Sequence, residues 1–217
     1  MYTFWLFRNG IGTKVNLKEA FKWAKKAADK GCASATYHLS YCYEFGLGCK
    51  KANLVKTIEC YQMLAEKDFP FALHNLAVCY ENGVSVEKDF KKAIELYKKA
   101  AEKDNIDSQI TLAHYYRIGK LVVKNPQLSF FYYKKASEHE DEDINEQDIY
   151  PYIAKCYDIG FGVEKNTIKA FEYYKKSFEK GISDVKLRLA ELYESEECGT
   201  PGLKLVELAQ DLQKLHW

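Results

Sequence analysis

The chain has no excess of charge of either sign: 32 Lys and Arg against 31 Asp and Glu leave a net charge of +1 over 217 residues. A protein so balanced has no global field to draw nucleic acid in or hold it off, and any electrostatic preference has to be local. No run approaches the roughly 20 apolar residues that a membrane-spanning helix needs. The opening MYTFWLF is apolar, but it has neither a basic leader nor a small-residue cleavage site and so reads as structure rather than as a signal peptide. The seven cysteines are odd in number and not closely paired, which argues against a secreted disulfide framework and for a cytoplasmic protein with reduced thiols. Every repeated Gly-x-Gly follows a helical pattern rather than a strand, so none reads as a phosphate-binding loop.

What the chain does have is enough apolar material for a packed structure, 47% hydrophobic against 29% charged, and self-similarity at a fixed period. The segments AFKWAKKAA, TIECYQMLA, AIELYKKAA, SFFYYKKAS and AFEYYKKSF align without gaps, their first residues Ala20, Thr57, Ala93, Ser129 and Ala170 standing 36 to 41 positions apart. Each copy reads as a first helix, a Gly turn and one of these second helices. On the first helix Leu39, Leu76, Leu112, Ile153 and Leu189 share a column. Four residues on stand Tyr43, Tyr80, Tyr116, Tyr157 and Tyr193, completing an i, i+4 stripe for burial. A small residue follows each Leu or Ile (Ser40, Ala77, Ala113, Ala154, Ala190) and lets a neighbouring helix come close.

Three residues after the Tyr, Gly46, Gly83, Gly119 and Gly160 suit a helix ending in the left-handed conformation, while the fifth copy has Glu196 there. Tyr61, Tyr97, Tyr133 and Tyr174 share a second-helix column with Ala24, so most of the aromatics read as repeated core. Cys42, Cys79 and Cys156 share a column as small buried side chains. Asp89, Asn125 and Asn166 are expected N-caps.

The pattern runs past the clear copies. Gly10 and Gly12 lie 36 residues ahead of Gly46 and Gly48, so TFWLFRNGIG reads as the end of an earlier first helix, with Phe7 in the Tyr column. After CGTPG, the segment LKLVELAQDLQKLHW resumes helical spacing at Leu205, Leu208, Leu212 and Leu215, as a final helix or cap. The expected organisation is one repeat domain over residues 1–217, with copies near 1–30, 33–66, 70–103, 107–138, 148–180 and 184–217. The signature in YEFGLGCKKANLVKTIECY and YDIGFGVEKNTIKAFEYYKKS resembles the Sel-1-like repeat, a relative of the tetratricopeptide repeat. That resemblance implies an all-α fold, a right-handed superhelical α-solenoid of antiparallel helix pairs, the first pair truncated. It also implies a non-enzymatic scaffold or adaptor for other proteins, with no cofactor. Some bacterial relatives described as binding penicillin-type drugs carry paired cysteines within each repeat, which this chain lacks. Its Ser-x-x-Lys matches (Ser85 and Lys88, Ser177 and Lys180, Ser183 and Lys186) stand without the Lys-Thr-Gly and Ser-Asp-Asn elements that would accompany them.

In tetratricopeptide-like pairs the first helix faces a concave groove, and specificity lives in positions that vary between copies. The residues sharing that face are Tyr37, Tyr41 and Glu44; His74, Val78 and Glu81; Ile110, His114 and Arg117; Pro151, Lys155 and Asp158; Leu187, Glu191 and Glu194. The last of each triplet is acidic except Arg117, so the row reads either as an acidic rail for a peptide with hydrophobic and basic anchors or as solvated carboxylates. On the second helices Lys25-Lys26, Lys98-Lys99, Lys134-Lys135 and Lys175-Lys176 form a stripe that reads either as a solvated face or as a contact for an anionic membrane or nucleic-acid surface. The stretch SEHEDEDINEQDIYP carries seven acidic residues and no Lys or Arg, and it is expected to be exposed, as a solubilising loop or a contact for a basic partner. His38 and Cys42 sit i, i+4 without a second ligand pair, so no metal site is expected. Phe4, Trp5 and Phe7 begin the chain without a preceding copy to pack on, so the expectation is either that the chain is cut from a longer array or that this end is covered, by a partner or by self-association.

The column assignment has a direct check. Tyr116→Ala removes a buried aromatic from the middle of the array and should cost roughly 3 kcal/mol, whereas Lys135→Ala should stay within about 0.5 kcal/mol. Equal melting temperatures for the two variants would contradict the register.

Overall fold

In a computed structural model of the protein, which describes residues 14–139 and 149–194, the order of the chain is set at helix starts. Asn16, Asn53, Asp89, Asn125 and Asn166 each accept a hydrogen bond from the backbone N–H three residues on, at 2.9–3.1 Å. This satisfies a first-turn amide that the helix itself leaves unpaired. Asn16 and Asn53 thus join the three caps expected from sequence. Behind these caps run the second helices α1 (Leu17–Ala28), α3 (Leu54–Ala65), α5 (Phe90–Glu102), α7 (Pro126–Ala136) and α9 (Thr167–Glu179). The first helices are α2 (Ala33–Phe45), α4 (Pro70–Asn82), α6 (Ile106–Ile118), α8 (Ile149–Ile159) and α10 (Lys186–Glu194), the last preceded by a 3-10 turn at Ser183–Val185. The fold is all-α.

The reversal inside each pair is built the same way four times. Gly46, Gly83, Gly119 and Gly160 follow the first helices at φ of 71–78°, where a side chain on the residue is strained. The cap residue of the following helix then donates its own amide back: Asn53, Asp89, Asn125 and Asn166 bond the carbonyls of Tyr43, Tyr80, Tyr116 and Tyr157 at 2.7–3.0 Å. Two residues past each glycine comes a second left-handed position, occupied by Gly48, Ser85, Leu121 and Gly162. A Cβ on Gly48 would run into the Leu17 carbonyl, and one on Gly162 into the Pro126 carbonyl. The loop therefore lies directly on the first turn of the second helix before it.

By internal contacts the chain divides after Ser108, inside α6, into two units. In the first, α1 turns three alanines, Ala20, Ala24 and Ala28, toward Leu39, Cys42 and Tyr43 of α2. With side chains this short the helices approach closely, and Phe21 meets the Tyr43 ring edge-on at 5.4 Å. Further along, Ile58, Tyr61 and Leu64 of α3 share a cluster with Leu73 and Leu76 of α4 and Ala100 of α5. In the second unit α8 packs on α7 and α9, and α9 on α10. Its buried residues include Ile153, Ala154 and Cys156 of α8, Ala170, Tyr174 and Phe178 of α9, and Leu189 and Leu192 of α10.

The Leu/Ile column is buried throughout, and so is the second-helix Tyr column. Cys79 and Tyr80 are only half-buried, and Tyr80 leans toward Lys92, whose ammonium bonds its hydroxyl at 2.7 Å and lies 4.2 Å from its ring centroid. All six described cysteines are free thiols. Burial pushes Cys60 and Cys156 up to about 11, which leaves them protonated and unreactive near neutrality. The aromatic start (Phe4, Trp5, Phe7), the acidic run at 140–148, the side chains of Tyr193 and Glu194, and the closing leucines lie outside the described residues.

The two left-handed glycines Gly31 and Gly48 separate backbone strain from collision. Gly31 has φ of 81° and open space around its Cα, so Gly31→Ala should cost about 1 kcal/mol. Gly48→Ala adds a clash with Leu17 and Phe21 and should cost clearly more, about 3 kcal/mol, as read by urea denaturation.

Candidate functional site

The first-helix face is where the repeated scaffold carries variable side chains. Its acidic column is tied into the chain: Tyr61 donates its hydroxyl to Glu44 at 2.9 Å, Tyr97 to Glu81 at 3.0 Å and Tyr174 to Asp158 at 3.3 Å. The second-helix tyrosine of each of these pairs is thereby fastened to the last acid of its own first helix. Burial, and then the adjoining carboxylate, push the Tyr61 and Tyr174 hydroxyls well above the ordinary phenol value, so both stay donors. Asp158 is buried and also accepts from Arg188 Nε and Nη2, each at 2.7 Å. The Arg188 guanidinium holds its carboxyl below the ordinary range. Arg188 further reaches exposed Glu191 at 2.8 Å.

In the remaining complete pair the acid is replaced, and the face opens. Arg117 stands where the others carry a carboxylate. Its Nη2 is 3.0 Å from His114 Nδ1, and its guanidinium lies 4.9 Å from the centre of the Tyr152 ring. Its Nε is buried with no hydrogen-bond partner among the described residues. Tyr152 in turn packs on Tyr133 at 4.6 Å. Together with Ile110, Thr111 and Tyr115, these side chains enclose a recess of about 380 Å³. A cation lying over an aromatic ring, short of one acceptor and partly withdrawn from water, suits an entering side chain that carries both an oxygen and a flat or apolar body.

The other residues expected on this face are spread more widely. Tyr37 is 42% exposed and meets the Phe71 ring of α4 at 4.4 Å. Tyr41 packs on Phe45 at 4.5 Å. His74 shares a hydrogen bond with Ser108 at 2.8 Å beside the Tyr97 ring, and burial lowers its pKa, keeping the imidazole neutral. Val78 and Pro151 are half-buried; Lys155 and Leu187 are exposed. Ile110, His114 and Arg117 are brought together in the recess. Sequence reasoning missed Tyr152 and Arg188, which share the column just before each Leu or Ile: His38, Asn75, Thr111, Tyr152, Arg188. The available signal was the spacing, because this column meets the acid position of the copy before it, Arg117 with Tyr152 and Asp158 with Arg188.

Several lysines of the second-helix stripe are engaged within the chain. Lys99 pairs with Asp68 at 2.6 Å, Lys134 with Glu138 at 3.5 Å and Lys175 with Glu179 at 3.8 Å. Lys26 lies over Trp23 and Lys176 over Tyr173. Among the described residues no three His, Cys, Asp or Glu side chains gather as a metal site would require, and no helix is long and apolar enough to cross a membrane.

The profile of the family described as Sel1 repeat matches residues 4–32, 33–69, 70–105, 106–141 and 152–182. No curated protein matches the chain significantly. Among solved structures, the chain is similar to a protective antigen present in uropathogenic Escherichia coli strains that displays an SLR fold. The TM-score is 0.76 at 27% identity, over 88% of this chain and 39% of that one. It is also similar to a Sel1 repeat protein from Oxalobacter formigenes, with a TM-score of 0.68 at 26% identity, over 91% of this chain and 76% of the other. This chain thus spans well under half the length of the first of these.

The tyrosine to carboxylate bonds carry a pH signature. The folded state holds the Tyr61 and Tyr174 protons more tightly than the unfolded chain, whose phenols titrate near 10.0. Their contribution is therefore whole below that pH and is lost as pH rises beyond it. Urea denaturation should show stability falling above about pH 10, less steeply in Tyr61→Phe/Tyr174→Phe, and each substitution should cost about 1 kcal/mol at neutral pH.

Proposed function

We propose, from the premise that this chain belongs to the Sel1 repeat family, that it is a non-catalytic scaffold which holds a segment of another protein against its first-helix face. Sel1 repeat proteins act as protein–protein interaction scaffolds. The observation that carries the finer reading is the recess around Arg117, where the repeated acid gives way to a cation with an unpartnered Nε among tyrosine rings. An extended partner segment would anchor there through a side chain with an oxygen acceptor. Elsewhere on the face, Tyr37, Tyr41, Val78 and Ile110 offer apolar and aromatic contact. A carboxylate accepts about four hydrogen bonds, so beyond its tyrosine bond Glu44 could also meet a partner's Lys or Arg, and Glu81 stands at the matching position of the next copy. His74, His114, Lys155, Asp158, Glu191 and Glu194 complete the proposed set, with Asp158 and Glu191 acting through Arg188.

Crosslinking in cell extract followed by mass spectrometry would identify the partner, and a synthetic segment of it would then serve as probe. Arg117→Ala should weaken binding of that segment by about tenfold or more while the helical content is kept, and Lys135→Ala should leave affinity unchanged. Crosslinks confined to the second helices, or an Arg117→Ala protein with full affinity, would overturn the reading.

A further inference from the structure

The first unit holds a second concavity, on different elements and of opposite chemistry to the first-helix acids. It is a recess of about 560 Å³ lined by Lys18, Lys22 and Lys25 of α1, Lys50 and Lys51 of the loop between α2 and α3, and Lys56 of α3. Its remaining lining is Phe21, Tyr43, Gly48, Cys49 and Asn53, so none of the lining residues is acidic. Among the described residues, the carboxylate paired with a lining lysine is Glu19, at 2.7 Å from Lys22. Six lysines thus line one recess in a chain whose net charge is only +1.

The fold draws these lysines together. Gly48, lacking a Cβ, lets the loop lie on the Leu17 carbonyl, which brings Lys50 and Lys51 over the lysine face of α1. Asn53 caps α3 through the Lys56 amide, so the recess also receives the positive end of a helix dipole. The floor is aromatic: Phe21 stands edge-on to Tyr43, and the Lys56 ammonium lies 5.3 Å from the Tyr43 ring centre.

The repeat makes the concentration of charge specific to this place. One copy further on, the six matching positions are Val55, Glu59, Gln62, Glu87, Lys88 and Lys92, two acids against two bases. No other second helix carries Lys at all three of the positions that α1 fills with Lys18, Lys22 and Lys25. Since scaffold positions are shared and binding positions vary, a departure of this size marks a site.

We infer that this recess binds a small ligand carrying two or more phosphate groups. Lysine is a rotatable point charge with three donors and suits tetrahedral oxyanions, whereas bidentate carboxylate recognition calls for arginine, which is absent from the lining. The volume lies within the roughly 300–1,000 Å³ of small-molecule sites. The lysines line a concavity rather than a plane, so a membrane surface would reach only its rim. A multivalent anion that binds the folded recess and not the unfolded chain should stabilise the fold.

Titration calorimetry and thermal melting with orthophosphate, pyrophosphate and tripolyphosphate, at matched ionic strength in chloride, test the inference. Tripolyphosphate and pyrophosphate should bind at one site per chain and raise the melting temperature, with orthophosphate far weaker. Lys18→Gln/Lys51→Gln should weaken tripolyphosphate by about tenfold or more, while Lys98→Gln/Lys175→Gln on the stripe should not. Absence of one-site binding, equal loss in both double variants, or binding to phosphoinositide vesicles without binding to free oligophosphate would each overturn it.

Discussion

The structure depends on reversing direction between two helices within a few residues, and one Asn or Asp residue ties the next helix to the first across that reversal. A left-handed glycine stops the first helix. An Asn or Asp then accepts from the first turn of the next helix while its own amide returns to the carbonyl of the first-helix tyrosine. Helix end, loop and helix start are therefore a single hydrogen-bonded object, and its repetition sets the spacing of everything packed behind it. Hydrophobic burial supplies the driving force, but it acts on helices whose angle and offset this joint has already limited.

On that regular frame the polar side chains make a second, sparser pattern. A tyrosine hydroxyl bonds a first-helix carboxylate in the pairs containing Tyr61, Tyr97 and Tyr174. The pair that lacks the acid turns its cation to neighbouring rings, and the resulting gap is the recess around Arg117. The lysine-lined concavity of the first unit arises in the same manner, from a copy that departs from the others where its loop meets its neighbour. Both candidate sites are local exceptions to a rule the rest of the chain keeps.

Helix pairing, the glycine stops, three of the five caps and both buried columns were legible in the sequence, because each is a periodic demand of backbone or core. The roles of the acids were less legible. Glu44, Glu81 and Asp158 read equally well as an exposed rail, since spacing along one helix does not reveal which hydroxyl on another helix lies within reach. Arg188 and Tyr152 were missed for a related reason: their contacts run from copy to copy, across 30 to 35 residues, where no local period applies. Asn16 and Asn53 cap like the rest, yet follow Val15 and Ala52 where each later cap follows a Lys. The lysine recess needed the folded loop, because Lys50 and Lys51 are far in sequence from Lys18.

The pairing of Arg117 with Tyr152 and of Asp158 with Arg188, each in the following copy, has a consequence for how such an array changes over time. The backbone joint is built alike in the four described reversals and would accept a copy inserted or removed. The side chains would not: lifting out the copy that carries Tyr152 and Asp158 would strand Arg117 without its ring and Arg188 without its carboxylate. In this half of the protein the copies behave as keyed parts, uniform in outline but cut to fit in one order, so growth or loss of repeats is steered toward places where no such key crosses the seam.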